Sequence, residues 1–235
     1  MATVEVAAPP AEGLWRIGRA PDPLAFNEPL RTAELDNPTT GNRFDSPLGT
    51  YRVLYFASTL DGCFGETLAR FRPDVEVLAV IRDEWEEKGF MAHGEVPRDW
   101  RQRRIAVRVG LAADAHRFPR GIQFVDVNSG ATREALRVEL AEMLTYFGYR
   151  DLDAATVHTH DRRVTRYIGQ WAYDATDEDG RPLYTGIRYS SRLDSDWECW
   201  AVFDDVSIVE QARQPILAGD PALQRVADRY NLRVY

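Results

Sequence analysis

The run Val53-Leu54-Tyr55-Phe56-Ala57-Ser58-Thr59-Leu60-Asp61-Gly62-Cys63-Phe64-Gly65-Glu66-Thr67-Leu68-Ala69-Arg70-Phe71 changes periodicity halfway along. Its first five residues are a compact apolar stretch bounded by turn chemistry, the pattern of a buried strand. Ser58 or Thr59 then supplies a capping oxygen, and the spacing predicts a helix to about Phe71. On that helix Gly62, Gly65, Glu66 and Ala69 share one face, while Phe64, Leu68 and Phe71 share another. Glu66 therefore sits on a face stripped of bulk. Each glycine costs a helix about 1 kcal/mol against alanine, so the pair needs a reason. Close approach of a ligand is one reason; tight helix–strand packing with Glu66 at its rim is the other. Tyr55 points away from Leu54 and Phe56. It can stack on a flat heteroaromatic ring, or be a core tyrosine with a bonded hydroxyl.

Working outward, Leu14–Ile17 is a short strand, and the proline-punctuated segment from Ala20 to Asn42 is an ordered but irregular loop. Residues 1–13 are Ala/Pro-rich without periodicity and are expected to form a disordered tail. Val75–Ile81, Ile105–Val109 and Phe124–Val127 have the composition of further strands. Thr132–Phe147 forms the clearest helix, with Leu136, Leu140, Met143, Leu144 and Phe147 on one stripe, Ser129 at its cap and Gly148 at its end. A second helix spans Asp161 to Tyr173. Strands Gly186–Ser190 and Cys199–Phe203 flank an acidic loop, Val206–Val209 follows, and Asp220-Pro221 opens a last helix. No repeat or interior linker breaks the chain. The expectation is an α+β fold, with residues 14–235 as a single domain.

The bulk properties narrow the function classes. A chain of 235 residues buries enough surface to need no metal or disulfide support. No apolar run approaches the roughly 20 residues that cross a bilayer, and the first ten residues lack the features of a secretory signal. Cys63 and Cys199 give no disulfide framework and sit in apolar contexts, which suits a reducing compartment and core thiols. A cytoplasmic protein with no membrane partner is expected. The net charge of −8 argues against a broad nucleic-acid surface. Lys88 is the sole lysine, so an anionic ligand would have to be gripped by local arginines.

Two further segments carry chemistry. Gly41-Asn42-Arg43-Phe44-Asp45-Ser46-Pro47-Leu48-Gly49 puts Arg43 on a loop that Gly and Pro can hold in one shape, or leaves it exposed in a polar turn. Gly186-Ile187-Arg188-Tyr189-Ser190-Ser191-Arg192 is a strand ending in two serines, which alone often just satisfy backbone groups. In order and wording, Trp15-Arg16, Asn42-Arg43-Phe44, Leu54-Tyr55, Glu66-Thr67-Leu68 and Gly186-Ile187-Arg188-Tyr189-Ser190-Ser191 resemble the RES domain, a family named for its Arg, Glu and Ser. The resemblance runs from about Leu14 to Phe203. The chain departs from the family in having Asn42 and Phe44 where Gly and Trp are usual. Counting from Gly186 favours Ser191 over Ser190 as the family serine.

That resemblance implies an ADP-ribosyltransferase-like fold, with mixed or antiparallel sheets and flanking helices. It also implies an enzyme that consumes NAD as substrate, with no bound cofactor, as a toxin paired with an antitoxin. Breaking the nicotinamide–ribose bond builds positive charge on the ribose while a neutral amide departs, so a fixed carboxylate near the sugar is what helps. On this reading Glu66 is that carboxylate, Arg16 and Arg43 clamp the diphosphate, Tyr55 stacks on nicotinamide, and Ser191 holds the carboxamide or a ribose oxygen. The acceptor is water or phosphate; transfer to a protein target and a non-catalytic binding module are the alternatives. NAD, an antitoxin protein and a second copy of the chain are the partners this reading entertains. His158-Thr159-His160-Asp161 invites a metal, since two histidines alternating on a strand share a face. A third ligand is missing, and no metal is expected. No Rossmann fingerprint, P-loop or Gly-x-Ser-x-Gly motif occurs.

Overall fold

The computed structural model describes residues 3–29, 37–76, 78–79 and 93–235. The opening run forms strand β3 (Val53–Ala57) and helix α1 (Leu60–Leu68), which ends in a 3-10 turn at Ala69–Phe71. Before it come β1 (Val6–Ala7) and β2 (Leu14–Arg19). After it come β4 (Gly94–Val96), α2 (Arg98–Gln102), β5 (Arg104–Ala112), β6 (Phe124–Asp126), α3 (Gly130–Glu139) and α4 (Ala141–Tyr146). The rest is α5 (Ala154–His158), α6 (Arg162–Asp174), β7 (Gly186–Ser190), β8 (Glu198–Phe203), β9 (Ser207–Pro215), α7 (Pro221–Tyr230) and β10 (Leu232–Val234).

Eight strands make one sheet in the order β1-β6-β7-β8-β3-β2-β5-β9, antiparallel except for the parallel β6–β7 pair; β10 and β4 form a separate parallel pair. The fold is mixed α+β, as expected. Strand alternation then assigns the faces. Leu54 and Phe56 join Trp200, Val202, Val107 and Val109 on one face, covered by Phe118 and partly buried Phe26 and Ile122. Val53 and Tyr55 lie on the other, with Ile187, Tyr189, Cys199 and Ala201, beneath Leu136, Leu144, Val157, Val164 and Ile168 from α3 to α6. On that same face Ile17, Ala57 and Ala106 underlie a second helical group, α1 and α7. Two helical groups on one sheet face leave a seam between them, and the seam is where the polar residues gather.

Several sequence expectations need correction. The tail is not disordered where it meets β6: Val6 and Ala7 pair with Val125 and Phe124, and Glu5 N donates to Thr132 Oγ1 at 2.9 Å. β6 would otherwise present unpaired backbone groups at a sheet edge. The strand expected at Val75–Ile81 is helical at residues 75–76 and 78–79, and Val77, Val80 and Ile81 lie outside the described residues. Asp74 decides this locally, its carboxylate accepting from Glu76 N at 2.8 Å and its carbonyl from Leu78 N at 2.9 Å. The helix expected over Thr132–Phe147 bends at Leu140 (φ −103°, ψ 17°), although bonds from Leu140 N to Leu136 O and from Leu144 N to Leu140 O continue the ladder. The bend keeps Leu136, Leu140 and Leu144 buried on one cluster. Ser129 and Asp220 cap their helices as the sequence indicates, and Asp161 caps α6 rather than lying within it.

Candidate active site

Glu66 stands on the last turn of α1, which starts where Thr59 Oγ1 accepts from Gly62 N at 3.1 Å. The side chain reaches the seam, and Oε1 accepts a hydrogen bond from Ser191 Oγ–H. Ser191 is buried just beyond the end of β7; its Oγ accepts from Leu193 N at 3.0 Å and its own N–H donates to Trp197 O at 2.8 Å. Ser190 faces elsewhere, exchanging bonds with the Asn128 amide. The structure therefore brings Ser191, not Ser190, to the glutamate. The bond from the buried Ser191 hydroxyl holds the Glu66 carboxylate in place.

The two helix glycines have a packing cause. A Cβ at Gly65 would fall 2.0 Å from the Trp197 ring, and one at Gly62 would lie 3.1 Å from Ala57 Cβ. Trp197 cannot yield easily, because Tyr230 packs edge-on at 6.0 Å and the Arg229 guanidinium lies 5.0 Å from its ring centre. Gly65→Ala is expected to destabilise the protein by about 1–2 kcal/mol, overpacking outweighing the helix-propensity gain of about 1 kcal/mol. Thermal denaturation would show a Tm lower by several degrees; an unchanged Tm would mean the ring has room to move.

Arg43 lies across the seam. Its Nη2 donates to Val157 O at 2.5 Å and Nη1 to Ser190 O at 3.4 Å, tying the loop to α5 and β7. The guanidinium sits 4.8 Å from the Tyr189 ring centre and 5.5 Å from that of Phe44, and Nε is buried without a partner among the described residues. Burial lowers its pKa; Tyr189 and Glu66 oppose the shift, while Arg192 adds to it. Arg16 spends Nε on Pro23 O and Nη1 on Tyr55 O, both at 2.9 Å, and Nη2 has no hydrogen bond among the described residues. Tyr55 has the bonded hydroxyl of the core reading. Its hydroxyl donates to Asp45 Oδ1 at 2.9 Å and accepts from Phe44 N at 3.0 Å, so it anchors the Arg43 loop, while the residue also lines the cleft.

The seam opens into a cleft of about 510 Å³ lined by Arg16, Arg19, Arg43, Arg104, Arg162 and Arg192, against Asp22 and Glu66 as its only carboxylates among the described residues. Among the described residues none of these six arginines forms an ion pair, whereas ten others do. In a protein of net charge −8, the unmatched positive charge is concentrated where an anionic ligand would enter. Cys63 and Cys199 form part of the cleft floor as buried thiols; burial pushes Cys63 up to about 12 and raises Cys199 further, which suppresses thiolate chemistry. His158 is not on a strand with His160 but ends α5, and His160 Nδ1 lies 2.9 Å from Arg192 Nη1. Burial lowers the His158 pKa, and Arg43, Arg133 and Arg192 add to it, surroundings that disfavour a cation. Among the described residues no three His, Cys, Asp or Glu side chains converge.

Sequence reasoning missed Tyr189, Arg162 and Arg192. Tyr189 was readable, since period 2 from Ile187 sets it on the face shared with Tyr55; nothing local marks Arg162. It also left the segment after Phe203 unexplained. That segment supplies β9, which lengthens the sheet beyond β5, and α7, which clasps α1: Tyr230 OH donates to Gly65 O at 3.2 Å and Arg225 grips Asp61 bidentately at 2.7 Å.

An α+β sheet domain that gathers loop and strand arginines, a helix glutamate and a strand-end serine at one cleft defines the class of this protein. Its family is the RES domain family, whose sequence model matches residues 13–224, and the chain belongs to it. The match reaches about twenty residues past the motif-bearing core that ends at Phe203 and takes in β9 and the start of α7. Searches of curated proteins and of solved structures gave no significant match.

Proposed function

We propose that this chain is an enzyme that cleaves the bond between nicotinamide and ribose in NAD, by hydrolysis or phosphorolysis. The observation that carries the reading is a cleft carboxylate, Glu66, aligned by a buried serine, among six arginines that form no ion pair among the described residues. The C1′–N bond breaks with its electron pair leaving on the nicotinamide nitrogen, which becomes neutral. The ribose is left as an oxocarbenium-like cation; water adds at C1′ and releases a proton to solvent, or phosphate adds through an anionic oxygen with no proton lost. Glu66 stabilises the cation more than the ground state, which lowers the barrier. Arg43, whose Nε has no partner among the described residues, and Arg16 hold the diphosphate. Tyr189 and Tyr55 line the same stretch of the cleft as the Arg43 guanidinium and offer ring surface to the nicotinamide. An ADP-ribosyltransferase-like description of the fold goes with this chemistry, and so does a cytoplasmic toxin held in check by an antitoxin protein.

Incubating the pure protein with NAD and separating the products by chromatography tests the reading. Free nicotinamide should appear at the same rate with and without a chelator, because the arginines and Glu66 supply the electrostatics. Loss of activity with chelator and its recovery with zinc or magnesium would overturn this description of the site.

A further inference from the structure

The six cleft arginines exceed what one diphosphate needs, and the five besides Arg16 fall into two groups. Arg43 and Arg192 adjoin the end of β7, where Arg192 adds to the lowering of the Arg43 pKa, and Arg162 at the start of α6 lines the same cleft. Arg19 and Arg104 lie at the other end, on β2 and β5, and stand directly opposite one another in the antiparallel ladder. Directly opposed residues have Cβ atoms about 4.5–5.5 Å apart, and like charges so placed are destabilising. Arg70, just after α1, faces the same point and with Arg19 adds to the burial that lowers the Arg104 pKa, while Asp99 partly opposes it. Arg104 is nevertheless held in place, with Nη1 donating to Trp100 O at 3.3 Å and its guanidinium 4.7 Å from the Trp100 ring. Arg19 has no side-chain hydrogen bond or ion pair among the described residues. Asp22, also in the cleft lining, accepts from Leu24 N at 3.2 Å and forms no ion pair with either arginine among the described residues.

We infer that Arg19 and Arg104 form a second anion subsite, which takes a phosphomonoester carried by the substrate: the 2′-phosphate of NADP. The inference rests on the proposed dinucleotide cleavage. The two arginine groups share one cleft with Glu66 between the sheet and α1, so one extended ligand can touch both. A dianionic phosphate between Arg19 and Arg104 relieves the repulsion of the opposed pair, which an unphosphorylated ribose cannot do. Free inorganic phosphate has the same chemistry and is the other source the test separates.

Two measurements decide. Calorimetry on the Glu66→Gln protein compares adenosine 2′,5′-bisphosphate with adenosine 5′-monophosphate, which requires no turnover. The bisphosphate should bind about tenfold or more tightly, and Arg19→Ala combined with Arg104→Ala should erase the difference. Equal binding of the two nucleotides would overturn the subsite, whatever the enzyme does to NAD. Rates of nicotinamide release from NADP and NAD form the second arm. The same double substitution should lower the NADP-to-NAD ratio of kcat/KM about tenfold or more, chiefly through KM, with or without added phosphate. A fall seen only as lost dependence on inorganic phosphate would give the subsite to the free anion and overturn the assignment. If the bisphosphate preference holds but neither dinucleotide is cleaved, the subsite stands and the proposed reaction fails.

Discussion

Replacing Glu66 with glutamine should lower nicotinamide release from NAD by about 10²–10³-fold, the scale seen when one preorganised electrostatic partner is removed. The substitution keeps the side chain's size, and a glutamine carbonyl can still accept from Ser191 Oγ, so the local geometry survives. Only the charge is lost. NAD affinity should change far less, because the ground-state ribose carries little of the positive charge that Glu66 faces in the transition state. Single-turnover rates and NAD titration on the two proteins, with matched Tm values, separate these quantities. In bacteria the native protein should deplete NAD and slow growth while Glu66→Gln should not. Equal NAD loss at matched protein levels would remove Glu66 from the chemistry and leave it as a helix-rim residue.

Arg43→Ala should weaken NAD binding by on the order of 10- to 100-fold, from the loss of a charge-assisted contact of about 1.5–3 kcal/mol. Arg120→Ala is the control, an exposed position away from the cleft. The structure adds a second consequence. Arg43 also caps the carbonyls of Val157 and Ser190, so its removal loosens the junction of α5 with the end of β7. A Tm measured beside the calorimetric affinity distinguishes the two effects. Lower Tm with unchanged affinity would make Arg43 a structural strut, and equal affinities for Arg43→Ala and Arg120→Ala would take it out of the binding site.

The elements that the sequence revealed are those whose cause is local. β3 and α1 were readable because an apolar run passes into a capped helix, and Asp220-Pro221 announced α7 for the same reason. Where a competing local device went unweighed, the reading failed. Asp74 favours helix at residues 75–76 and 78–79, the described part of a β-prone run. A short strand such as β1 has no signal of its own, because its cause is the open edge of β6, far away in sequence. Ordered motifs were enough to identify the RES domain family, since their residue types and order lie along the chain.

By itself the sequence determined most strands of the central sheet, the capped starts of α1 and α7, the family, and the candidates Arg16, Arg43, Tyr55, Glu66 and the serine pair. Only the tertiary structure decided what those residues do to one another. Ser191 differs from Ser190 because a one-residue step at the end of β7 turns it to the other sheet face, toward Glu66. Gly65 is glycine because Trp197, more than 130 positions along the chain, needs the space. Arg19 and Arg104 form a pair because antiparallel register sets them opposite each other. Each of these follows from distances between segments remote in sequence, which are fixed by burial of the two sheet faces and have no local trace in the residues concerned.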